Sequence, residues 1–338
     1  METRLEINEV TTAQLADDAF VRELWEVHTR SQREGRASMP TWSLRELAGS
    51  LRTPDSGERQ EIVQARDAEG RLLGTAVLWL PLLDNTDKAW FEVDVDPAVR
   101  RRGVGSALVA EVERRVRGEG RALVMGETHL PAEGREEHGH ARFARAVGFE
   151  PANYEVVRHL DLPVDEDRLA GWAAAATGPY TFETHAGAVP EDLLGSLCVL
   201  LGQLAVDAPT GSVDFEEEQV TPERYAGLVA STEAMGRVRL ETVALSPERE
   251  VVAQTTLAIP AGEGEELLQW GTFVHREHRG HHLGLAVKAI NLQQARLRCP
   301  GARFASTQNA EDNGYMVAIN EQIGFRPVEV SAEFVKRF

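Results

Sequence analysis

Two short segments of the sequence combine residue types that bind phosphate groups. The first lies between an extended apolar pattern and an amphipathic helical pattern, and it consists of Arg100, Arg101, Arg102, Gly103, Val104, Gly105 and Ser106. Two glycines one residue apart let the backbone turn without a Cβ, so consecutive N–H groups become exposed. The helix that follows adds the positive end of its dipole. These features predict an anion-binding loop.

The second segment, "HRGHHLG", has the same setting, and its candidate binding residues are Arg279, Gly280, His281, His282, Leu283 and Gly284. Gly284 follows Gly105 by 179 positions, and the extended residue Val274 likewise follows Val95. His282 occupies the position of Gly103. We expect this loop to bind an anion too if the backbone dihedrals of His282 remain negative. Neither segment has a P-loop or a complete dinucleotide-binding pattern, which argues against those two protein classes.

The two segments belong to a longer repeat that predicts two similar domains. Each half of the chain has the pattern β-α-α-β-β-β-α-β-α-β, and its last helix ends in Gly-Phe, at Gly148 and at Gly324. The predicted boundaries are 1–162 for the N-terminal domain, 163–179 for a linker with a short helix, and 180–338 for the C-terminal domain. Strands mixed with helices predict an α/β (α+β) fold, with a mixed, mostly antiparallel sheet flanked by helices in each domain.

The composition narrows the classes of partner. The 338 residues carry a formal net charge of −18, which argues against nucleic-acid binding because that needs a basic surface. An acidic chain suits a cationic substrate such as an amine. The N-terminus lacks a secretion-signal pattern, and the longest apolar run is too short to cross a membrane. With two cysteines at no metal-site spacing, we expect a cytoplasmic protein with reduced thiols and no metal.

The order of these features resembles the GNAT superfamily of acyl-CoA-dependent N-acyltransferases. The family signature [Q/R]-x-x-G-x-[G/A] is met by Arg100, Gly103 and Gly105, and the repeat extends the resemblance over most of each half. The resemblance implies acetyl-CoA as cofactor, with its pyrophosphate on the loop and its pantetheine arm between two separating strands. An amine would attack the thioester directly. That reaction needs a base for the amine proton, an acid near the departing thiolate and N–H groups for the oxyanion.

The N-terminal half offers carboxylates for the role of base. Strand alternation places Trp90, Glu92 and Asp94 on one face of a strand. Glu92 and Asp94 are therefore candidate bases, and the alternative is that both are solvated strand carboxylates. Ala144 stands where the resemblance implies a tyrosine acid, which weakens acid catalysis in this half.

The C-terminal half has more candidate cofactor-binding and acid residues around its last helix. Asn309 and Asn313 flank the start of that helix, where they either contact the cofactor or cap the helix. Tyr315 is the candidate acid. Gly271 and Phe273 occupy the positions that match the two N-terminal carboxylates, so a base would have to be a water or an acid from elsewhere.

An acidic connection in the C-terminal half is the candidate acceptor site. Its acids would attract a cationic small-molecule or peptide amine, unless they only form a solvated loop. The candidate residues are Asp214, Glu216, Glu217 and Glu218, with Asp207 just before them. The sequence therefore predicts an acetyl-CoA-dependent N-acetyltransferase, with catalysis favoured in the C-terminal half. The alternative is an acyl-CoA-binding regulatory protein without turnover.

Overall fold

Two compact units make up the chain. The computed structural model describes residues 5–36, 40–207, 209–262 and 264–338. The first unit comprises Met1–Leu130, Gly134–Ala152 and Ala332–Phe338, and the second comprises Pro131–Glu133 and Asn153–Ser331. Each unit combines helices with a mixed sheet, which confirms the predicted fold class.

The first unit holds the elements of the N-terminal half of the repeat. They are β1 (Glu6–Glu9), α1 (Thr12–Ala16), α2 (Asp18–Arg33), α3 (Leu44–Arg52), β2 (Glu58–Arg66), β3 (Leu72–Pro81), β4 (Lys88–Val95), α4 (Val104–Gly118), β5 (Leu123–Leu130) and α5 (Gly139–Ala146). The strand order is β1-β2-β3-β4-β5, and neighbours are antiparallel except β4 and β5, which run parallel. Capping boxes at Thr11 and Ser43 start α1 and α3.

The second unit repeats this arrangement. Its elements are β6 (Glu150–Asp161), α6 (Glu166–Ala173), β7 (Thr181–Ala186), α7 (Glu191–Asp207), α8 (Pro222–Ala234), β8 (Arg237–Leu245), β9 (Val251–Pro260), β10 (Glu266–Val274), α9 (Leu283–Arg298), β11 (Phe304–Ala310), α10 (Gly314–Ile323) and β12 (Arg326–Arg337). The strand order is β6-β11-β10-β9-β8-β7, and only β10 and β11 are parallel neighbours among these pairs.

Apolar helix faces cover each sheet. In the first unit, α2 and α3 contribute Leu24, Val27, Leu47 and Leu51 to one core. Helix α4 buries an apolar stripe on the sheet, formed by Leu108, Val109, Val112 and Val116. In the second unit, α9 packs against Leu240 of β8, whereas α7 and α8 pack against Val243 and Leu245. Because side chains alternate along a strand, these contacts place helices on both faces of the sheet.

Two strand segments belong to a different compact unit from the one that the sequence repeat predicts. Residues 153–161 of β6 belong to the second unit, and residues 332–338 at the end of the chain belong to the first. In the first unit, the Phe338 N–H donates to the Ala122 carbonyl over 2.9 Å. The Lys336 ammonium donates to Glu113 of α4 over 2.6 Å. The boundaries 1–162, 163–179 and 180–338 stay a prediction about the duplicated sequence, and α6 lies within the linker range.

Two further sequence expectations concern the cysteines and the apolar runs. Cys198 and Cys299 are both free and buried. Within the described ranges, every helix is too short or too polar to cross a bilayer.

Candidate active site

Both candidate loops have the same backbone. Each begins with a single 3-10 turn, Pro97–Val99 in the first unit and Arg276–His278 in the second. The guanidinium of Arg100 donates to the Val95 carbonyl over 3.3 Å, and that of Arg279 donates to the Val274 carbonyl over 3.3 Å. Both loops also visit the left-handed region twice, at positions that correspond in the repeat. These positions are Arg101 (φ 65°) and Gly103 (φ 86°) in one loop, and Gly280 (φ 84°) and His282 (φ 57°) in the other.

The condition of negative dihedrals at His282 is therefore not met. The loop keeps the left-handed conformation of Gly103 although a histidine stands there. Such a conformation costs an L-residue with a Cβ on the order of 1 kcal/mol, because the Cβ crowds the backbone. The backbone path survives the loss of glycine, so His282 changes the side chain at this point and leaves the loop geometry unchanged.

The first turns of α4 and α9 present unpaired backbone donors. The opening N–H groups of a helix have no partner within the helix. At Gly103 and at His282, the residue before the helix supplies no side-chain cap. A helix start of this kind suits an anion, because the dipole and the N–H groups act in the same direction.

The strand before each loop separates from its parallel neighbour, as the resemblance implied. Pairing of β4 with β5 ends at Phe91 and Gly126, although β4 continues to Val95. Pairing of β10 with β11 ends at Leu268 and Ser306, although β10 continues to Val274. Each unit therefore has a gap between two strands that leads to the loop.

The two gaps differ in the regularity of one strand. Strand β10 has a bulge against β9 between Gln269 and Thr272, whereas β4 pairs with β3 in an unbroken register. A bulge leaves backbone groups out of the ladder. In the second unit, Trp270 and Gly271 therefore lie outside the ladder with β9, and the Trp270 carbonyl accepts from the Gln269 side chain over 3.0 Å.

The surroundings of the two loops also differ. Arg101 and Arg102 are exposed in the first unit. In the second unit, Asp207 at the end of α7 forms ion pairs with Arg276 and with Arg279, the latter at 2.6 Å. These guanidinium groups lower the pKa of Asp207, mainly through the hydrogen bond from Arg276. The Asp207 carboxylate is therefore paired with arginines of the loop, which leaves it less available to bind a cationic acceptor.

The linker also contacts the loop of the second unit. The N–H of Thr177 donates to the His281 carbonyl over 3.1 Å, and the Tyr180 hydroxyl lies 2.9 Å from Nδ1 of His278. The aromatic ring of Tyr180 also packs against His281. The loop of the second unit is thus held by the end of α7, by Thr177 of the linker and by Tyr180, which contacts His278 and His281.

In the first unit, the two candidate carboxylates form a cluster with side chains of α2. Nδ1 of His28 lies 2.7 Å from Oδ2 of Asp94 and 3.8 Å from Oε1 of Glu92. The Gln32 amide donates to Glu92 over 2.9 Å and to Asp94 over 3.3 Å. Asp94 is buried, whereas the Glu92 side chain is 37% exposed. Glu92 is therefore the carboxylate that a substrate can reach.

The cluster shifts the protonation of its members. Crowding by surrounding protein atoms and the charge of Asp94 raise the pKa of Glu92 to about 7, although part of its side chain is open to solvent. Burial opposes protonation of His28, but the hydrogen bond to Asp94 and its charge outweigh that effect and raise the pKa of His28 to about 9. At neutral pH, His28 therefore balances the charge of Asp94, and Glu92 exchanges a proton readily.

The same three side chains bring nitrogen and oxygen atoms within 4.8 Å of one another. Ligands of a tetrahedral zinc ion at normal bond lengths lie about 3.3 Å apart. The 2.7 Å between His28 and Asp94 is instead the separation of a hydrogen-bonded pair.

The candidate residues around α10 have several different roles. The Asn313 side chain accepts from the Met316 N–H over 3.2 Å and caps α10. Tyr315 is 55% exposed, and its hydroxyl lies 4.0 Å from the point that a Cβ on Gly284 would occupy. The hydroxyl is therefore beside the first turn of α9. Asn309 accepts a hydrogen bond from Asn320.

The acidic connection remains a set of surface residues. Asp214, Glu216 and Glu217 are exposed, and Glu218 forms an ion pair with Arg224 at 3.3 Å. Their role in acceptor binding stays a prediction.

Sequence reasoning missed His28 and Gln32. Their spacing of four residues places them on one face of α2, which is the available signal. That spacing does not reveal which strand the face covers, because Asp94 is 66 residues away from His28 in sequence.

A comparison with protein families assigns the first unit. The profile described as "Acetyltransferase (GNAT) family" matches residues 21–149, a range that includes the cluster and the first loop. Residues 21–149 belong to the GNAT acetyltransferase family. No curated protein sequence matches the chain.

Solved structures extend the GNAT fold to the whole chain. A tandem GNAT protein from the clavulanic acid biosynthesis pathway is 24% identical, with a TM-score of 0.77, and the match covers 99% of this chain and 98% of that one. A GCN5-related N-acetyltransferase from Sphaerobacter thermophilus is 15% identical, with a TM-score of 0.63, over 98% of this chain and 95% of that one. A putative acetyltransferase from Pyrococcus horikoshii is 12% identical, with a TM-score of 0.55, over 99% and 89%. The chain therefore has a tandem GNAT fold.

Proposed function

We propose that the chain is an acetyl-CoA-dependent N-acetyltransferase that acetylates a small-molecule or peptide amine. The observation that carries the proposal is the Glu92 carboxylate, which is reachable by solvent and lies on the strand that leads to an open loop. Its raised pKa suits a base that works near neutral pH. The net charge of −18 favours a cationic amine as acceptor.

The residues of the first unit fit acetyl-CoA. The uncapped start of α4 would hold the pyrophosphate, and the exposed Arg101 and Arg102 would add positive charge. The gap beyond Phe91 and Gly126 would hold the pantetheine arm. Bound acetyl-CoA supplies the acetyl group as an activated thioester.

The side chains of the cluster divide the work of proton transfer. Glu92 takes the proton that the acceptor amine loses as its nitrogen forms the new amide bond. Gln32 orients the Glu92 carboxylate, and His28 neutralises Asp94 so that Glu92 is not held protonated by a second full charge. With Ala144 at the position of the tyrosine acid, solvent protonates the thiolate that leaves in this half.

The sequence favours the C-terminal half for catalysis, but the geometry supports the N-terminal half better. The first unit has the partly exposed Glu92 carboxylate, and Arg101 and Arg102 beside its loop are exposed. In the second unit, Arg279 is paired with Asp207 and the linker lies against the loop. These contacts favour a second candidate function for that half, namely binding of acyl-CoA without turnover.

Calorimetry with acetyl-CoA, followed by a screen of amines for release of free thiol, tests the proposal. We expect binding and thiol release with at least one cationic amine. Binding without thiol release from any amine would support a regulatory protein instead. Absence of binding would contradict both candidate functions.

Matched loop variants test which half is catalytic. Asp and Asn both tolerate the left-handed conformation, so Gly103→Asp and Gly103→Asn differ mainly in charge. We expect Gly103→Asp to abolish thiol release and Gly103→Asn to retain much of it. His282→Asp and His282→Asn should both retain it. If His282→Asp abolishes thiol release and Gly103→Asp does not, catalysis belongs to the C-terminal half.

A further inference from the structure

A buried lysine in the second unit has no acidic partner among the residues that the structure describes. Lys288 of α9 is 1% exposed, and its ammonium donates to Oδ1 of Asn320 over 2.7 Å. The ammonium also lies 5.5 Å from the ring centroid of Phe325. Within the described residues, no other hydrogen bond or ion pair involves this ammonium. The corresponding position in the first unit, 179 residues earlier, is the apolar Val109. A charge buried here needs a reason beyond packing.

Lys288 fixes the direction of a chain of hydrogen bonds. Burial lowers the pKa of Lys288 to about 7. The charged form can only donate, so Asn320 presents its oxygen to it. The amide nitrogen of Asn320 then points the other way, and it donates to Oδ1 of Asn309. Asn309 must therefore present its oxygen to Asn320, which leaves its own amide nitrogen as a donor without a protein partner in the described structure.

Asn309 lies on β11 beyond the point where β10 and β11 have separated. Asn309 is three residues beyond Ser306, the last residue of β11 that pairs with β10. The other edge of β11 is fully used at this point, because Asn309 pairs with Val156 of β6. Asn320 is completely buried, so the chain of hydrogen bonds begins in the core and ends at Asn309, a residue beside this gap.

We infer that Lys288, acting through Asn320, is a positioning residue that holds the Asn309 amide as a hydrogen-bond donor for a carbonyl oxygen in the pantetheine arm of acyl-CoA. This inference rests on the proposed use of acyl-CoA and applies it to the second unit. The amide binds the arm and leaves the pyrophosphate to the loop. Without the lysine, Asn320 can turn its amide over, and Asn309 then loses the constraint that exposes its donor.

The test uses the full chain with Gly103→Asp, so that only the loop of the second unit binds cofactor. Lys288→Met is added, because methionine fills similar space and cannot donate a hydrogen bond. The two probes are acetyl-CoA and adenosine 3′,5′-diphosphate, which lacks the pantetheine arm. We expect Lys288→Met to weaken acetyl-CoA binding about tenfold, the equivalent of one hydrogen bond, and to leave binding of the nucleotide unchanged. Val109→Met in the same background is the matched control and should change neither affinity.

The pattern of losses separates positioning from a structural role. Asn309→Ala should weaken acetyl-CoA binding as much as Lys288→Met, and the double variant should be no weaker than either single variant. Equal loss of both probes in Lys288→Met, or no loss of either, overturns the inference. If Gly103→Asp alone removes all acetyl-CoA binding, the second unit does not bind the cofactor and only this inference fails. If the unmodified chain does not bind acetyl-CoA, the proposed function fails with it.

Discussion

Two carboxylates two positions apart on β4 have different environments. Asp94 is buried and bonded to His28, whereas Glu92 is partly exposed, accepts from the Gln32 amide and lies 3.8 Å from His28. Two like charges this close cannot both ionise freely, so the neighbour without a cationic hydrogen-bond partner keeps its proton to higher pH. The pKa of Glu92 is accordingly raised to about 7. Environment, rather than residue type, therefore separates the two carboxylates.

Replacement of Glu92 should separate catalysis from cofactor binding. Glu92→Gln keeps the size of the side chain and removes the proton acceptor, so we expect kcat to fall by about 10²- to 10⁴-fold. The affinity for acetyl-CoA, measured by calorimetry on the same variant, should stay the same because the loop is untouched. A variant that retains more than half of its kcat would exclude Glu92 as the base.

The pH dependence of kcat/KM should reflect the ionisation of Glu92. A base must be deprotonated, so kcat/KM should rise with pH with an inflection near 7. Gln32 donates to the charged form of Glu92 and so lowers its pKa. Gln32→Met should therefore move the inflection to higher pH. Arg30→Met is the control, because Arg30 lies on the same helix but pairs with Asp96, and it should leave the inflection in place. Equal shifts in both variants would contradict the assignment.

At the scale of elements, the two loops show what the sequence reveals and what it conceals. The spacing of arginines and glycines predicted both loops and the helices after them, because glycine and helix periodicity are local signals. The sequence could not reveal that His282 adopts a left-handed conformation, since its neighbours impose that conformation. It also could not reveal that Asp207, 72 residues before Arg279, forms an ion pair with that arginine of the second loop. Contacts of this range depend on the packing of whole elements.

Relief of the left-handed conformation should stabilise the chain. His282→Gly removes the Cβ that crowds the backbone, and we expect the free energy of unfolding to rise by up to about 1 kcal/mol. The measurement is urea denaturation. His281→Gly is the control, because His281 has no positive φ and contacts Thr177 and Tyr180. We expect that control to be less stable than the unmodified chain. A loss of stability in His282→Gly would show that the histidine side chain makes contacts that outweigh the crowding.

At the scale of the whole molecule, the repeat predicted two similar domains but not how the chain divides between compact units. Periodicity identifies strands, and it does not identify the partner that each strand pairs with. Strand β6 pairs with β11 from Glu155 to Asp161, and residues 332–338 complete the first unit. Both assignments depend on pairings between residues more than 140 positions apart, for which no local signal exists.

Cutting the chain between the two halves of the repeat should show whether the first unit needs residues 332–338. The fragment 1–162 lacks residues 332–338 and leaves β6 without β11, so unpaired strand edges would remain. We expect it to aggregate, as measured by size-exclusion chromatography and circular dichroism. Residues 1–149 joined through a flexible linker to residues 332–338 should be monomeric and folded. Should the fragment 1–162 prove monomeric and cooperatively folded, the terminal segment is dispensable for the first unit.

The place of residues 332–338 in the first unit also sets the order of events during protein synthesis. A ribosome releases the chain from its N-terminus, and domains made of one continuous stretch fold as they emerge. Here the first unit is incomplete until residues 332–338 have been synthesised, because they lie in that unit. While the ribosome translates the second half, the incomplete first unit therefore carries an open strand edge. This interval is when the nascent chain depends most on chaperones.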